Sequence, residues 1–298
     1  MHIYVDSYAE AYTQIRQIML KDAIETKPRG MLIKELFNVS VTLNPRNRLA
    51  YHELRKYNIY FNIAELIAII CDVNSVKFLN FFNKNIKQFS DNGIDFNGAY
   101  GPRLSDQWEV CKEKLLNDND TRQAIMTIYD GQYDLHKVTK DVPCTLNLHF
   151  IIRENKLNLT VYMRSNDLFW GFQYDIFNFT MIQEMIYNEL KESIPDLELG
   201  TYTHTTTSLH VYEKHFKLLN DMEVMESIKM PAISLVKDDY EKLCSYIMYS
   251  QIKSAKEINE CFNEVQLMEI LQHYFLLKDN KASDFELEHD IWAKKFLK

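Results

Sequence analysis

The sequence predicts an α+β fold, and the main evidence is one β-hairpin placed between helical segments. Apolar side chains recur at every second position from Leu146 to Ile152 and from Leu157 to Val161, with Glu154-Asn155-Lys156 as the turn. Helical segments flank this hairpin without the regular strand–helix–strand units of a doubly wound sheet. The mixture therefore favours α+β over α/β.

Two helices are predicted before the hairpin. Residues 50–74 read as helical and include an apolar run interrupted by one charge, Glu65. A second helix begins near Ser105, and the polar residues 117–120 end it. Its apolar face consists of Trp108, Cys111 and Leu115. Residues 123–129 fit either a short strand or a helical turn.

Three further elements are predicted after the hairpin. A helix runs from about residue 175 to 190, and residues 209–212 read as a strand. His210 and Tyr212 alternate on this strand and face the same side, an arrangement more typical of packing than of binding. From about residue 236 to 298 the chain reads as helical with a polar face.

The composition is that of one large globular domain. Of 298 residues, 46% are hydrophobic, and only 7 Gly and 6 Pro leave no room for a long flexible linker. A net charge of −8 argues against nonspecific binding to nucleic acid or to an anionic membrane. A small anionic ligand stays compatible with this charge, because a local arginine cluster needs no overall positive surplus.

The cysteines and the chain start predict a cytoplasmic protein with reduced thiols. The 5 cysteines are widely spaced without a C-x-x-C pair, and the first residues lack the features of a secretory leader. No apolar run approaches the roughly 20 residues of a membrane span. The sequence contains no metal-binding Cys/His spacing, no P-loop and no G-x-G-x-x-G motif, so we expect no metal.

Cys144 is the first candidate for chemistry. It stands at the entrance of the first hairpin strand, after Pro143, where a lone cysteine is more often a small core residue. Arg164 stands 20 residues later, at the far end of the hairpin. Because a hairpin brings its ends together, we expect the two to lie close. A guanidinium favours a thiolate and can also hold a phosphate.

Other charged residues are weaker candidates when taken singly. Glu65 is a carboxylate in an apolar helix, and such a group has either a structural partner or a function, with about even odds here. Arg29, Arg122 and Arg164 are candidate phosphate ligands, although a single arginine is more often a surface residue.

Taken together, these positions resemble the thymidylate synthase superfamily, over roughly residues 20–220, with residues 236–298 as an extension. The resemblance rests on Arg29-Gly30, Glu65, Tyr100-Gly101, Thr121-Arg122, Pro143-Cys144, Arg164-Ser165-Asn166-Asp167, Gly171, Asp175-Ile176 and His210-Val211-Tyr212. It implies a single catalytic domain over residues 1–298. It further implies a mixed twisted sheet flanked by helices, and a homodimer formed sheet to sheet.

The resemblance also implies a reaction. Cys144 attacks C6 of a pyrimidine nucleoside monophosphate, and C5 then captures the methylene of methylenetetrahydrofolate. Glu65 and Tyr100 organise water and proton transfers. By the same resemblance, Arg29, Arg164 and Ser165 bind the 5′-phosphate, and Arg122 of the partner subunit also reaches it. His210 and Tyr212 bind the sugar 3′-hydroxyl. Asp167 faces the base and the folate, and Gly171 contacts the folate.

One departure from the synthases concerns the base. Asp175 stands where the synthases have an asparagine, whose amide matches uracil. A carboxyl group accepts from the 4-amino group of cytosine and shares a proton with N3. A mismatched polar pair of this kind can discriminate by roughly 10⁴-fold. Asp175 therefore resembles the cytidylate hydroxymethylase branch and is expected to act in both catalysis and substrate binding.

Further departures concern the folate, the phosphate and the chain end. Ile86 and Phe89 align loosely with two synthase tryptophans, and residues 293–298 replace a short apolar tail. Both changes favour access of water to the methylene, which gives a hydroxymethyl product. The family has a second arginine after the position of Arg122, and this chain has Gln123 there. This difference weakens the phosphate site or implies another cation. Thr145 replaces the family's histidine without a clear mechanistic consequence.

The sequence therefore predicts a deoxycytidylate 5-hydroxymethyltransferase that uses methylenetetrahydrofolate and water, with cytidylate as a close second substrate. A thymidylate synthase or deoxyuridylate hydroxymethylase is the alternative among enzymes. A noncatalytic nucleotide-binding or RNA-binding relative is the alternative of another class. Cys144, Glu65 and Arg164 argue against that last alternative, because a pure binding protein has no need of the thiol.

Overall fold

The computed structural model describes residues 1–234, 236–239, 270–271, 274 and 295–297. Two compact units, each built from separate chain segments, are present. Unit 1 contains Met1–Lys56, Gln107–His136 and Pro143–Met230. Unit 2 contains Tyr57–Asp106, Lys137–Val142 and the described residues after Met230. A single catalytic domain over residues 1–298 stays a prediction.

Unit 1 contains all the named strands. They are β1 His2–Tyr4, β2 Ile24–Thr26, β3 Ile33–Leu43, β4 Leu49–Tyr51, β5 Ile125–Thr127, β6 Thr145–Arg153, β7 Lys156–Met163, β8 Asn166–Asp167, β9 Glu198–Tyr212 and β10 Glu226–Ile228. The main sheet has the order β1-β3-β9-β7-β6-β5, with β2 beside β3 and β8 beside β9. β9 pairs antiparallel to β3 and parallel to β7, so the sheet is mixed. β4 and β10 form a separate antiparallel pair.

The named helices are distributed over both units. They are α1 Tyr8–Asp22, α2 Ile59–Ile70, α3 Val76–Phe82, α4 Gly101–Leu104, α5 Trp108–Asn117, α6 Phe172–Lys191 and α7 Phe216–Asp221. α6 lies against β7 and β9. Gln183 fixes this contact, since its side-chain amide donates to the carbonyls of Leu157 (2.9 Å) and Thr201 (3.0 Å).

The predicted hairpin is confirmed as β6 and β7. Glu154 and Asn155 both have positive φ, 52° and 57°, which is the geometry of a two-residue turn that follows the strand twist. Six of the seven alternating apolar residues are buried, namely Leu148, Phe150, Ile152, Leu157, Leu159 and Val161. The core between this sheet and α6 therefore follows the period-two pattern of the sequence.

The helix predicted over residues 50–74 is wrong at its start. Only Ile59–Ile70 is helical, because Asn58 caps that helix by accepting from the N–H of Phe61 (3.0 Å). Ala50 belongs instead to β4 and pairs with β10. The apolar side chains of residues 49–51 satisfy either pattern, and only the pairing with a distant segment decides between them.

Other boundaries differ by a few residues. The helix expected near Ser105 begins at Trp108 as α5, and its three apolar side chains are buried. The sequence of residues 123–129 fits either a short strand or a helical turn, and the structure shows the strand β5 there. The helix expected from about residue 175 begins at Phe172. Residues 240–269 and most of 271–298 of the predicted helical extension lie outside the described residues.

The opposite face of the main sheet is polar and partly exposed. Hydroxyl pairs connect its strands, with Ser40 bonded to Thr205 (3.0 Å) and Thr42 bonded to Thr203 (2.8 Å). In the part of the chain that is described, no helix is long and apolar enough to cross a membrane. Over the same residues, no group of potential metal ligands is present.

Candidate active site

Cys144 lies directly before β6, and Arg164 lies directly after β7. The carbonyl of Cys144 accepts from the N–H of Arg164 (2.9 Å), and the Nε–H of Arg164 donates to the carbonyl of Pro143 (2.9 Å). The hairpin thus brings the predicted nucleophile and the predicted phosphate ligand together at its open end. The thiol is half-buried.

Cys111 provides a contrast within the same unit. It is buried on α5, and burial raises the pKa of its thiol to about 12. A thiol in this environment stays protonated at neutral pH and is a poor nucleophile. The comparison of environments favours Cys144 as the reactive thiol of unit 1.

Asp167 lies beside His210 in the register between β8 and β9. One carboxylate oxygen of Asp167, Oδ1, accepts from the backbone N–H groups of Phe169 (2.7 Å) and Trp170 (2.8 Å). The other oxygen, Oδ2, is buried and has no hydrogen-bond partner among the described residues. A buried carboxylate oxygen without a partner is costly, so it is a candidate ligand contact.

Two histidines share this feature. Nδ1 of His210 and Nδ1 of His215 are buried and likewise have no partner in the described parts of the chain. Burial lowers the pKa of both rings, and the negative charge of Asp167 opposes that shift. Three unsatisfied polar atoms around Asp167 therefore mark the place where a polar ligand fits best.

His215 was missed by the sequence analysis. It follows β9 in a short 3-10 helix and packs against Phe169 and Trp170, at ring distances of 5.4 and 5.6 Å. The Nζ of Lys214 lies 3.7 Å from the centre of the exposed Trp170 ring. The spacing His210-x-Tyr212-x-x-His215 was the only available signal, and a strand period does not extend past the end of the strand.

Arg29 and Tyr212 lie near His210. Arg29 has φ of 53° and Gly30 has φ of 79°, so both adopt a left-handed turn before β3. The charge of Arg29 contributes to lowering the pKa of His210, after burial as the main cause. The rings of His210 and Tyr212 meet edge to face at 5.1 Å. These residues and Ser165, next to Arg164, all belong to unit 1.

Asp175 lies in the first turn of α6 and is held by Asn166. The side-chain amide of Asn166 donates to Oδ2 of Asp175 (2.6 Å). Burial raises the pKa of Asp175 to about 7, and the bond from Asn166 opposes the rise. By exposed area the residue is half-buried, so water still reaches part of it. The carboxyl group therefore keeps a proton over part of the neutral range.

Gly171 makes this hydrogen bond sterically feasible. A Cβ atom on Gly171 would lie 2.6 Å from Nδ2 of Asn166 and 3.1 Å from Oδ2 of Asp175. Its carbonyl also accepts from the N–H of Asp175 (2.8 Å) at the start of α6. The conformation at Gly171 thus supports Asp175, whereas folate binding by Gly171 stays a prediction.

Arg122 lies on the exposed connection between α5 and β5. Its backbone carbonyl is bonded to Nε2 of His149 (3.1 Å). The neighbouring Gln123, where an arginine was expected, accepts from Nζ of Lys114 at 3.4 Å. Lys114 is therefore a cation beside the position of the missing guanidinium. Over the described residues, no hydrogen bond or ion pair connects Arg122 with Cys144 or Arg164.

Glu65 and Tyr100 belong to unit 2. Glu65 is the only residue of α2 that is not fully buried. Gly101, which follows Tyr100, packs so closely on α2 that a Cβ atom would lie 2.4 Å from the carbonyl of Ala68. Since Ala68 is three residues after Glu65, both lie on one side of α2. Unit 2 thus holds the Tyr100 turn against the helix of Glu65.

Ile86 and Phe89 also lie in unit 2. They occupy a short 3-10 helix, Ile86–Phe89, in which Ile86 is half-buried and Phe89 is exposed.

Thr145 is fully buried at the start of β6. The chain end at residues 293–298 lies outside the described residues except for 295–297.

Comparisons with known proteins place the chain in a family. The thymidylate synthase family model matches residues 8–256. A deoxyuridylate hydroxymethyltransferase of Bacillus phage SP01 is 34% identical over 93% of this chain and 74% of that protein. A deoxycytidylate 5-hydroxymethyltransferase of Enterobacteria phage T4 is 32% identical over 38% of this chain and 48% of that protein.

A solved structure has the same fold. The thermostable thymidylate synthase A from Bacillus subtilis has a TM-score of 0.67 at 20% identity, covering 79% of this chain and 91% of that chain. The predicted α+β class and the mixed sheet with flanking helices are thereby confirmed. The chain belongs to the thymidylate synthase family, a family of one-carbon transferases.

Proposed function

We propose that this chain is a pyrimidine nucleotide C5-hydroxymethyltransferase. Deoxycytidylate is the preferred nucleotide in this proposal, and cytidylate is the next choice. The reaction would use methylenetetrahydrofolate and water and release tetrahydrofolate. The observation that carries the proposal is the Asp175 carboxyl group, bonded to Asn166 and with a pKa raised to about 7.

The proton on Asp175 favours cytosine. N3 of cytosine is a base, so it can share that proton, while the 4-amino group donates to the second carboxyl oxygen. This pairing is a charge-assisted pair of hydrogen bonds, which is stronger than a neutral pair. O4 of uracil is a much weaker base and gains less from the same proton. The residue type and its protonation therefore support the cytosine nucleotide.

Deoxyuridylate is the alternative substrate. The relative from Bacillus phage SP01, which is similar over 93% of this chain, is a deoxyuridylate hydroxymethyltransferase. A neutral carboxyl group can also donate to O4 of uracil and accept from N3–H. A thymidylate synthase reaction, in which the methylene is reduced to methyl, is the further alternative within the family.

The reaction begins at Cys144. Its thiolate adds to C6 of the base, and the electron pair of the C5–C6 double bond then attacks the methylene carbon from C5. Loss of the C5 proton breaks the bond between the methylene carbon and the folate nitrogen, so tetrahydrofolate leaves and an exocyclic methylene remains on C5. Water adds to this methylene to give the hydroxymethyl group, and departure of the thiolate from C6 restores the C5–C6 double bond. Glu65 and Tyr100 are proposed to organise the water and the proton transfers.

Binding of the nucleotide is proposed for residues on the strand ends. Arg29, Arg164 and Ser165 would hold the 5′-phosphate, because guanidinium groups bind phosphate by paired hydrogen bonds. His210 and Tyr212 would contact the sugar 3′-hydroxyl. The ring of His210 has an unsatisfied buried Nδ1 among the described residues, which supports a polar ligand there.

Folate binding is proposed for the region of Asp167. Its buried Oδ2, without a partner in the described chain, is an acceptor that fits an N–H group of a pterin. Methylenetetrahydrofolate, when bound, supplies the one-carbon unit. Asp167 would orient it by a hydrogen bond, and Gly171 lies four residues further along the same segment.

A homodimer is part of the proposal. The polar, partly exposed face of the main sheet, which includes Ser40, Thr42 and Thr205, is available for contact with a second copy. Arg122 would then reach the phosphate bound by the partner subunit. A cytoplasmic location is also proposed, since the reaction requires a reduced thiol at Cys144.

Product analysis tests the proposed function. The enzyme is incubated with dCMP, CMP or dUMP plus methylenetetrahydrofolate, and the products are identified by mass. We expect a hydroxymethyl product, formed fastest from dCMP. Cys144→Ala is the control for chemistry at that thiol. A faster reaction with dUMP would replace the cytosine nucleotides by deoxyuridylate as the substrate, and a methyl product would indicate the thymidylate synthase reaction instead.

A further inference from the structure

A chain of hydrogen bonds leads from the core to Asp175. The Tyr202 hydroxyl lies 2.9 Å from Nδ1 of His204, and Nε2 of His204 lies 3.1 Å from Oδ1 of Asn166. Nδ2 of Asn166 then lies 2.6 Å from Oδ2 of Asp175. Tyr202 and His204 are fully buried and Asn166 is almost fully buried, so water does not compete for the two bonds of His204.

The direction of each bond follows from the Asn166 amide, whose NH₂ group faces Asp175 and whose oxygen faces His204. Burial lowers the pKa of His204 to about 3, so its ring is neutral and has one donor and one acceptor nitrogen. Oδ1 of Asn166 can only accept, so Nε2 of His204 carries the hydrogen. Nδ1 therefore accepts from the hydroxyl of Tyr202, which stays protonated because burial and the charge of Asp175 raise its pKa.

The ring of His204 therefore stabilises one orientation of the Asn166 amide. Its carbonyl oxygen accepts from Nε2 of His204, and its NH₂ group points at Asp175. An N–H donor on Oδ2 favours that oxygen as an acceptor and leaves the carboxyl proton on Oδ1. The carboxyl group then presents an acceptor and a donor in a fixed order.

The order of donor and acceptor on the carboxyl group matters because cytosine and uracil require opposite orders. Cytosine needs an acceptor opposite its 4-amino group and a donor opposite N3, whereas uracil needs a donor opposite O4 and an acceptor opposite N3–H. A symmetric carboxyl group could serve either base by moving its proton. A carboxyl group with one oxygen already committed as acceptor serves one base better.

We propose that Asn166 and His204 are positioning residues that fix the donor and acceptor oxygens of Asp175 and thereby set the base preference. In the deoxycytidylate reaction on which this inference rests, Oδ2 would face the 4-amino group and Oδ1 would face N3. Neither residue takes part in the proposed proton and carbon transfers, so we expect substitutions there to change base selection more than turnover.

The test compares two substitutions of His204 in the full chain. His204→Phe keeps an aromatic ring against Phe172, whose ring lies 5.1 Å away, but removes both ring nitrogens. The Asn166 amide can then turn over and present its oxygen to Asp175. His204→Gln keeps one donor and one acceptor. His136→Phe, the same substitution at an exposed histidine outside the proposed site, is the matched control.

The readout is the ratio of kcat/KM for dCMP to that for dUMP. One bidentate base contact is worth about 1–3 kcal/mol in nucleic-acid recognition, so we expect His204→Phe to lower the ratio by about tenfold to a hundredfold. His204→Gln and His136→Phe should keep the ratio within about threefold of wild type. Equal losses for both nucleotides in His204→Phe would show a structural role and overturn the inference.

Two further measurements keep the test decisive. If His204→Phe does not fold, Asn166→Ser removes the donor to Asp175 and should lower the ratio in the same way. If the wild type shows no turnover, the proposed function fails, and the ratio of dissociation constants for dCMP and dUMP, measured by calorimetry, tests the inference separately. A preference of the wild type for dUMP would refute deoxycytidylate as the preferred nucleotide. A shifted ratio in His204→Phe would still support the positioning role.

Discussion

The N–H of Arg164 donates a 2.9 Å hydrogen bond to the carbonyl of Cys144 across the open end of the β6–β7 hairpin. This bond fixes the two ends of the hairpin in one register. The Arg164 side chain turns back to the carbonyl of Pro143, so the guanidinium group stays near the entrance of β6. A backbone contact thus connects a predicted nucleophile with a predicted anion ligand.

Replacement of Cys144 by Ala is expected to abolish the reaction. The nucleophile is lost while the proposed phosphate and sugar contacts remain, so turnover should fall by about 10³-fold or more with nucleotide affinity changed only a few-fold. Exchange of the C5 hydrogen with solvent, followed by mass or tritium release, should disappear as well. Cys111→Ala is the control with a buried thiol. Undiminished exchange in the Cys144→Ala variant would refute the nucleophile assignment.

The hairpin around Cys144 could be predicted because its signal is local. Alternating apolar residues on both sides of a short polar turn predict the two strands, so the proximity of Cys144 and Arg164 followed directly. The predicted turn was one residue too long, because Lys156 already belongs to β7. The segment at residues 50–58 could not be predicted in the same way. Its strand β4 is defined by pairing with β10, about 175 residues further along the chain.

The contacts of Asp175 show a second limit of sequence reasoning. The residue type indicated a role in base recognition, but no local pattern indicated that Asn166 and His204 support it. These residues meet because β8 pairs with β9 and both lie beside the start of α6. Histidine and asparagine are each common in polar segments, so only their placement in space reveals the connection.

Mixed dimers test the proposed donation of Arg122 to a partner subunit. A Cys144→Ala chain has intact Arg122, and an Arg122→Ala chain has intact Cys144, so one of the two sites in a heterodimer would be complete. We expect mixtures of the two inactive variants to recover up to about a quarter of wild-type activity. Mixing Cys144→Ala with an Arg164→Ala variant is the control, since both residues belong to one site within a subunit. An active monomer in sedimentation would contradict the prediction.

Glu184 is expected to be important for stability. It lies fully buried in α6 and forms ion pairs with Arg46 (2.8 Å) and with the fully buried Arg48. Glu184→Gln leaves a buried guanidinium without its counter-charge, so the free energy of unfolding in urea should fall by about 3–5 kcal/mol. Glu192→Gln, on an exposed position after α6, should change it by less than about 0.5 kcal/mol. Equal effects of both substitutions would contradict a stabilising role of the pair.

The raised pKa of Asp175 predicts a pH dependence of stability. Its pKa rises from the ordinary 3.8 to about 7 on folding, so the folded state binds a proton that the unfolded state releases in this range. The contribution is therefore fully present below about pH 4 and is lost as the pH rises towards 7. Asp175→Asn cannot titrate, so its free energy of unfolding relative to wild type should increase between pH 5 and 8. Asp196→Asn, on an exposed residue, should show no such trend. A difference independent of pH would contradict the shifted pKa.

The last prediction concerns base preference in Asp175→Asn. An asparagine at this position loses the proton that N3 of cytosine can share, so kcat/KM for dCMP should fall by about tenfold to a hundredfold. The new carbonyl should accept from Asn166 while His204 holds that amide, which keeps the acceptor and donor order of the wild type. The value for dUMP should therefore rise little in the single variant. In the double variant with His204→Phe both amides can turn over, and kcat/KM for dUMP should rise by about tenfold or more. Steady-state assays with both nucleotides measure these values, and a full switch to dUMP in the single variant would show that Asn166 does not determine the order.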